Sequence, residues 1–299
     1  MKPLLFMVTI LFAYNAVASE TNVVNKTPAE YQKYLAQGIM TESKVKDVEI
    51  DEDDEEIVTL MLSEAMSLGT QGGAYWASQQ ISLYLSDHSH ILDKINFKPL
   101  VIEYPQYYVL PVVVTEDDGR SRISEKGKVM RILGKSFFIE SEPKLLVSIP
   151  SWRDYLYVDA MPPKAPHDAY QKYIDKYPTI WANGIKQGWN VGLEQAVYTI
   201  ETRISRLTRD YIGLVRYHLI KDQNIISAPK IKEVYRPVSG GGNELSIEDT
   251  IVEIVVSPQL NTNRFNWNMV PQLPDVSHLF PDNMQSGFIS DLRKAKVLL

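Results

Sequence analysis

Cysteine is absent from all 299 residues. That excludes a disulfide scaffold, a thiolate zinc site, a cysteine nucleophile and a lipid anchor on cysteine. An excess of positive charge is missing too. Lys plus Arg number 31 against 37 Asp plus Glu, a formal net charge of −6, which disfavours nucleic acid as a direct partner. Glycine (15) and proline (17) are too scarce for a low-complexity or fibrous chain. Beyond the N-terminal region no apolar run approaches the roughly 20 residues of a membrane helix. No serine elbow, zinc-protease helix or phosphate-binding lysine motif is present. A glycosidase-like carboxylate pair picked from 37 acids would be arbitrary. The residues thus point to no catalytic group and no cofactor. At this length, burying about three quarters of the extended-chain surface supports a fold without staples.

What is there begins with an address. Lys2, the largely apolar stretch from Leu4 to Ala13, and Ala16-Val17-Ala18 before Ser19 fit a secretory signal over residues 1–18, with Ala16 and Ala18 as the small residues at the cleavage site. The expected compartment is therefore the periplasm or its equivalent. Residues 19–50 read as a flexible lead-in with one short helix near Ala29 to Gln37. Then Asp51, Glu52, Asp53, Asp54, Glu55 and Glu56 form six consecutive acids, and the rest of the chain balances at 31 against 31. The run suits a helix start, where the macrodipole favours negative charge. It reads either as a solvated end or as a dock for something basic.

Two long helical patterns follow. Ile57, Met61, Ala65, Leu68, Gly72, Trp76 and Leu83 recur at helical spacing, as do Trp181, Ile185, Trp189, Gly192, Ala196, Ile200, Leu207, Tyr211 and Leu214 between about Ile180 and Ile220. Both carry glycines four apart: Gly69 and Gly73 in the first, Gly184, Gly188 and Gly192 in the second. Each interior glycine costs about 1 kcal/mol relative to alanine, so five of them call for a close neighbour. The expectation is that the helices cross at these ridges with Trp76 and Trp189 beside the crossing. The alternative is that strands or loops fill the grooves.

The remainder is strand-rich and irregular. Tyr107 to Thr115 is a β-branched stretch that Pro111 marks as an edge or bulge, and Asp117-Asp118-Gly119 reads as a turn. Val129 to Leu133 and Ser136 to Ile139 read as a hairpin around Gly134-Lys135. Ile231 to Val238 and Leu245 to Val256 read as a second hairpin around Ser239-Gly240-Gly241-Gly242-Asn243. Residues 150–181 interleave aromatics with Pro162, Pro163, Pro166 and Pro178, which excludes long helices there. Asp87-His88-Ser89-His90 gathers metal-capable groups but lacks a third ligand at a usable spacing, so no metal is expected. The tail, residues 263–299, is polar with a short helix from Phe288 to Lys296. The whole is an α+β chain: two long glycine-ridged helices packed with antiparallel β-hairpins in a single domain over residues 51–262.

Five motifs together resemble one family. They are Gly69-Thr-Gln-Gly-Gly-Ala-Tyr-Trp76, Val109-Leu-Pro111, Pro150-Ser-Trp-Arg-Asp-Tyr-Leu156, Gly188-Trp-Asn-Val-Gly-Leu-Glu-Gln-Ala196 and Ser257-Pro-Gln-Leu-Asn261. In this order and spacing the chain resembles the DotC family of the Dot/Icm type IVB secretion system and its counterparts in conjugative plasmids. The resemblance implies a non-enzymatic component of the outer-membrane core complex, working with DotD-like and DotH-like proteins in a multimeric ring that seats the channel in the envelope. It carries no catalytic residues; Pro150, Trp152, Arg153, Tyr155, Gln195, Pro258 and Asn261 stand in it as fold or assembly determinants.

The chain departs from that family at one point. Members are lipoproteins whose signal ends at a lipid-bearing cysteine, and this sequence has Ala18 and Ser19 there and no cysteine. The expectation is a periplasmic subunit held at the outer membrane by protein partners. A periplasmic protein that binds or hydrolyses cell-wall glycan through the aromatic segment is the alternative.

Overall fold

The computed structural model describes residue 30 and residues 50–118, 121–124, 129–132, 134–268 and 276. The signal segment with Ala16 and Ala18, the helix near 29–37, Gly119 and the tail helix at 288–296 lie outside the described residues. The architecture is α+β, with every strand pair antiparallel. The chain divides into two compact units. The first holds residues 50–92 and 156–203, and the second holds 93–155 and 204–268 among the described residues. No described helix is long and apolar enough to cross a membrane.

The first unit is built on α1 (Glu55–Asp87), the one-turn α2 (Ser89–Leu92) that follows it, and the N-terminal part of α5 (Pro178–Asp222). A 3-10 turn, Glu52–Asp54, leads into α1, so the acids occupy its approach and first turn. Pro178 starts α5 at a position where its missing N–H and fixed φ are tolerated. That places the helix start two residues before Ile180, and α5 then runs unbroken for 45 residues, about 67 Å at 1.5 Å per residue. Most of the periodic apolar positions are buried, including Met61, Ala65, Trp181, Ile185 and Ile200. Leu83 keeps the helical phase yet is 40% exposed, and Ile81 and Leu85 are buried instead. Tyr177 and Ile174, from the short helix α4 (Gln171–Lys176) and its end, complete this core with Val58 and Leu68.

The glycine ridges of α1 and α5 face each other. A Cβ on Gly188 would stand 2.8 Å from the Met66 carbonyl carbon, one on Gly69 2.9 Å from that of Ile185, and one on Gly73 3.1 Å from that of Trp189. Gly184 meets Leu62 and Ala65, and Gly192 meets Thr70 and Ala74. Leu62, Met66 and Thr70 advance four residues at a time in the same direction as Gly184, Gly188 and Gly192. The helices therefore run parallel and mesh along two turns instead of meeting at one crossing point. Trp76 and Trp189 tilt against each other beside this seam, ring centroids 6.0 Å apart. Backbones this close permit Cα–H···O=C contacts that a side chain would exclude.

The second unit carries the sheets. Strands β1 (Ile102–Glu103), β2 (Tyr108–Leu110) and β7 (Lys144–Leu146) form one, in the order β1-β2-β7. Strand β3 (Val113–Asp118) pairs with β6 (Lys135–Ser141), and β4 (Ser121–Ser124) with β5 (Val129–Ile132). Two expectations are corrected here. Val129 to Leu133 and Ser136 to Ile139 do not form a hairpin with each other, because their partners lie upstream in β4 and β3. Asp117 and Asp118 belong to β3 and not to a turn. Pro111, which lacks a ladder donor, separates β2 from β3, and these strands enter different sheets with a register shift at Val113/Val114.

The C-terminal part of α5, from Ile204, packs on β3: a Cβ on Gly213 would lie 3.1 Å from the Val114 amide nitrogen. Val112, Val114, Tyr217, Ile220, Ile225 and Ile226 form this unit's core. Arg216, only 14% exposed, ties the two elements. It donates to Glu116 at 3.1 Å and to the Val114 carbonyl at 2.9 Å. Last come β8 (Lys230–Gly241) and β9 (Glu244–Val256), a two-stranded sheet closed by Gly242-Asn243, with Gly242 at φ 66°.

Candidate functional site

The Pro150 to Leu156 motif is the most densely connected of the five. Its helix, α3 (Trp152–Leu156), starts directly after Ser151. The Ser151 amide and hydroxyl both donate to the Asp154 carboxylate at 2.7 and 3.0 Å, and the Asp154 amide donates to the Ser151 carbonyl at 3.1 Å. Trp152 is buried, and its indole N–H donates to Asp93 at 2.8 Å. The Arg153 guanidinium donates to the same Asp93 oxygen at 2.9 Å and lies 4.3 Å above the Trp152 ring. Tyr155 stacks on Phe97, centroids 5.6 Å apart, and Tyr211 meets Phe97 edge-on. The Tyr155 hydroxyl donates to Asp210, and burial together with that carboxylate pushes the phenol pKa up.

Asp210, 8% exposed, is the second acid of this arrangement. It also accepts from Arg209 at 2.7 Å and lies 3.8 Å from Arg206, so its buried charge is compensated as the low local dielectric demands. Five consecutive motif residues, Ser151 to Tyr155, are thus spent on internal partners. The arrangement clamps a helix onto its surroundings.

Asn261, from the Ser257 to Asn261 motif, works the same way at the end of α5. Asn224 has φ 56°, and the Ile225 amide donates to the Ile220 carbonyl at 2.9 Å, closing the helix in a Schellman-type cap. Asn261 then donates its amide to the Ile225 carbonyl at 2.7 Å, and its own carbonyl receives the Trp267 indole N–H at 2.8 Å. Asn268 completes the clasp by donating its side chain to the Asp222 carbonyl at 2.9 Å. Pro258 is buried beside it in sequence.

The acidic run has an internal partner. Lys176 of α4 donates to Asp51 at 2.6 Å and to Asp54 at 2.5 Å, and the Tyr177 hydroxyl donates to Asp54 at 2.9 Å. Glu52, Asp53, Glu55 and Glu56 stay exposed. The Lys176 ammonium, then the Tyr177 hydroxyl, hold the Asp54 carboxyl below its ordinary 3.8. Trp152, then Arg153, do the same for Asp93. A depressed carboxyl stabilises the fold fully above its unfolded pKa, and that contribution is lost as pH falls through the folded value. Stability is therefore expected to be level above about pH 5 and to fall below about pH 4. Replacing Asp54 and Asp93 by asparagine should flatten that fall, as read from denaturant midpoints between pH 3 and 7.

Two concavities are described. One of about 380 Å³ in the first unit lies between α1, α5 and the segment after α3, with Gln71, Tyr75, Ser78, Leu156, Met161 and Gln195 in its wall. It has no Asp, Glu or His lining. The other, about 450 Å³, is lined by residues 103–108 and Val147, with Glu103 its one carboxylate. His88, of the Asp87 to His90 cluster, caps α1: its Nδ1 donates to the Tyr84 carbonyl at 2.9 Å, and its ring stacks on Tyr84. Among the described residues no three metal-capable side chains gather.

The structure brings Trp152, Arg153 and Tyr155 together, and Gly69, Gly73, Trp76, Gly184, Gly188, Trp189 and Gly192 together. Gln195 lines the first-unit groove. Sequence reasoning missed Asp93, Asp210, Phe97 and Gly213. Gly213 alone carried a signal, being one more glycine inside a long helical pattern.

Residues 55–269 match the model of a protein family described as type IV secretory system, conjugal DNA-protein transfer. The matched span opens on the first residue of α1 and takes in both glycine ridges, α3, the asparagine clasp and the β8–β9 hairpin. No curated protein matches the chain.

Proposed function

The chain belongs to this family of the type IV secretory system for conjugal DNA-protein transfer, and on that premise we propose that it is a non-enzymatic structural subunit of the machine's outer-membrane core. The finer reading is a DotC-like subunit that works with DotD-like and DotH-like proteins to seat the channel in the envelope. The observation that carries it is the use of the motif residues. In an enzyme, polar groups converge on a cavity; here Trp152 packs into the interior, Ser151, Arg153, Asp154 and Asn261 bond to neighbouring groups of the chain, and neither described concavity is lined by two carboxylates. A hydrolase acting on cell-wall glycan would need such a pair.

The same reading puts the protein in the periplasm, at the outer membrane through its partners, since no cysteine exists to carry a lipid. Fractionation of cells with and without the DotH-like protein tests it. The chain should leave the outer-membrane fraction when that partner is deleted and stay when it is present. Retention in its absence would overturn attachment through that partner.

A further inference from the structure

The β8–β9 hairpin has no use in the braces described above. Its strands of 12 and 13 residues reach about 40 Å at 3.3 Å per residue. Among the described residues the sheet has two strands only, so each strand is also an edge. Its tip is apolar and wet. Val238 stands opposite Ile247, next to the Gly240–Leu245 pair, and Leu245 and Ile247 are 68% and 71% exposed. A two-stranded ribbon with solvent on both faces is marginal by itself, and further strands or a covering layer stabilise it.

The charges of the two edges differ in sign. Strand β8 presents Lys230, Lys232 and Arg236, while its one acid, Glu233, accepts from the Tyr107 hydroxyl at 2.5 Å. Strand β9 presents Glu248, Asp249 and Glu253. Lys232 lies opposite Glu253 and Arg236 opposite Asp249. Even so, none of these six charges is within 4.0 Å of an opposite charge among the described residues. The hairpin is therefore a ribbon with one cationic and one anionic edge.

We propose that this hairpin joins copies of the chain head to tail, the β8 edge of one copy lying against the β9 edge of the next. The occupant follows from charge. A twofold contact would set β8 on β8 or β9 on β9, and like charges facing each other across strands are destabilising. Pairing β8 with β9 matches opposite signs and continues the antiparallel meander. Every copy keeps the same orientation, as in a heterologous contact that closes into a ring or extends as a filament. Indiscriminate edge pairing is limited at one level of the ribbon, where Pro237 lies across from Glu248 at φ 61°. The inference deepens the reading of the chain as an assembly subunit and rests on it.

The absence of cysteine makes the test clean. Full-length Lys232→Cys and Glu253→Cys variants, each with a single thiol, are mixed in solution and co-expressed in cells carrying the complete secretion system. Disulfide-linked dimers are expected only from the mixture. Equal self-crosslinking of either variant would overturn the head-to-tail arrangement, and so would no crosslink in either setting. Arg236→Cys with Glu248→Cys repeats the test in a second register and must agree with the first in direction.

A charge exchange gives an independent reading by sedimentation. Lys232→Glu/Arg236→Glu and Glu248→Lys/Glu253→Lys should each self-associate at least about tenfold more weakly than the parent, and mixing them should restore association. Unchanged association of either alone would count against the proposal. Recovery of secretion-system proteins with the tagged chain from the envelope separates the two claims. If the partners co-purify while mixed dimers are missing, the hairpin contact fails and the subunit reading stands. If both are missing, both fail.

Discussion

Gly188→Ala is expected to destabilise the first unit by about 2–3 kcal/mol or more, although alanine is the better helix former. Local propensity alone predicts the opposite sign, a gain of about 1 kcal/mol for an interior helix position. The seam decides otherwise. A methyl at Gly188 meets the Met66 carbonyl group and the backbone beside it, with carbon only 2.8 Å away. Two backbones cannot yield as a flexible side chain does, so relief requires the helices to part. Parting opens gaps along the seam, where Gly184 and Gly192 hold the neighbouring turns against Leu62 and Thr70. Overpacking in close-packed interiors costs about 1–3 kcal/mol, and a rigid obstacle lies at the upper end or beyond. Gly241→Ala is the control. Nothing lies within 4 Å of its added Cβ, and the change should fall within about 0.5 kcal/mol. Urea midpoints of the two variants followed by far-UV circular dichroism decide the matter. A Gly188→Ala protein as stable as the parent would mean that the seam is not tight in solution.

The helices were legible because burial imposes a period. Met61, Ala65 and Leu68, or Trp181, Ile185 and Trp189, repeat at the spacing one face requires, and their glycines stand out because local energetics argue against them. What the period cannot give is direction and register. The ridges announced close approach, but the parallel, meshed seam depends on which glycine opposes which carbonyl. Leu83 shows the limit from the other side, for a residue in phase is buried only if something packs on that turn.

The sheet errors have a different cause. Proximity in sequence favours pairing residues 129–133 with 136–139, but β3 and β6 instead meet across a long stretch of chain, and no local pattern encodes that closure. The braces were half legible. The Pro150 to Leu156 motif was visible as a motif, while its anchor Asp93 was one of 37 acids with no spacing to distinguish it. Asp210 was hidden in the same way. The acidic run posed a choice between solvent and a basic partner, and the answer lay more than 100 residues away, in Lys176.

Trp152 and Arg153 are adjacent, share one acceptor, and should respond to substitution very differently. Both donate to the same Asp93 oxygen. Trp152 is 1% exposed, whereas the side chains of Arg153 and Asp93 are about half exposed. Removing the indole vacates a large buried volume beneath α3, and Trp→Ala changes of this kind cost about 3–5 kcal/mol. Trp152→Phe keeps most of the volume and loses the donor. Because Asp93 remains open to water and to Arg153, that loss should be about 1 kcal/mol. Arg153→Ala removes a solvent-screened pair and a ring contact, together worth under about 1 kcal/mol. The expected order is therefore Trp152→Ala far above Trp152→Phe, with Arg153→Ala smallest, measured as shifts in urea midpoint at pH 7. Equal losses for Trp152→Ala and Arg153→Ala would show the ion pair, and not the buried ring, to be the brace. If Arg153→Ala is stable as purified protein yet fails to enter the secretion-system assembly, the exposed guanidinium meets a partner, and the motif serves folding through one residue and assembly through the next.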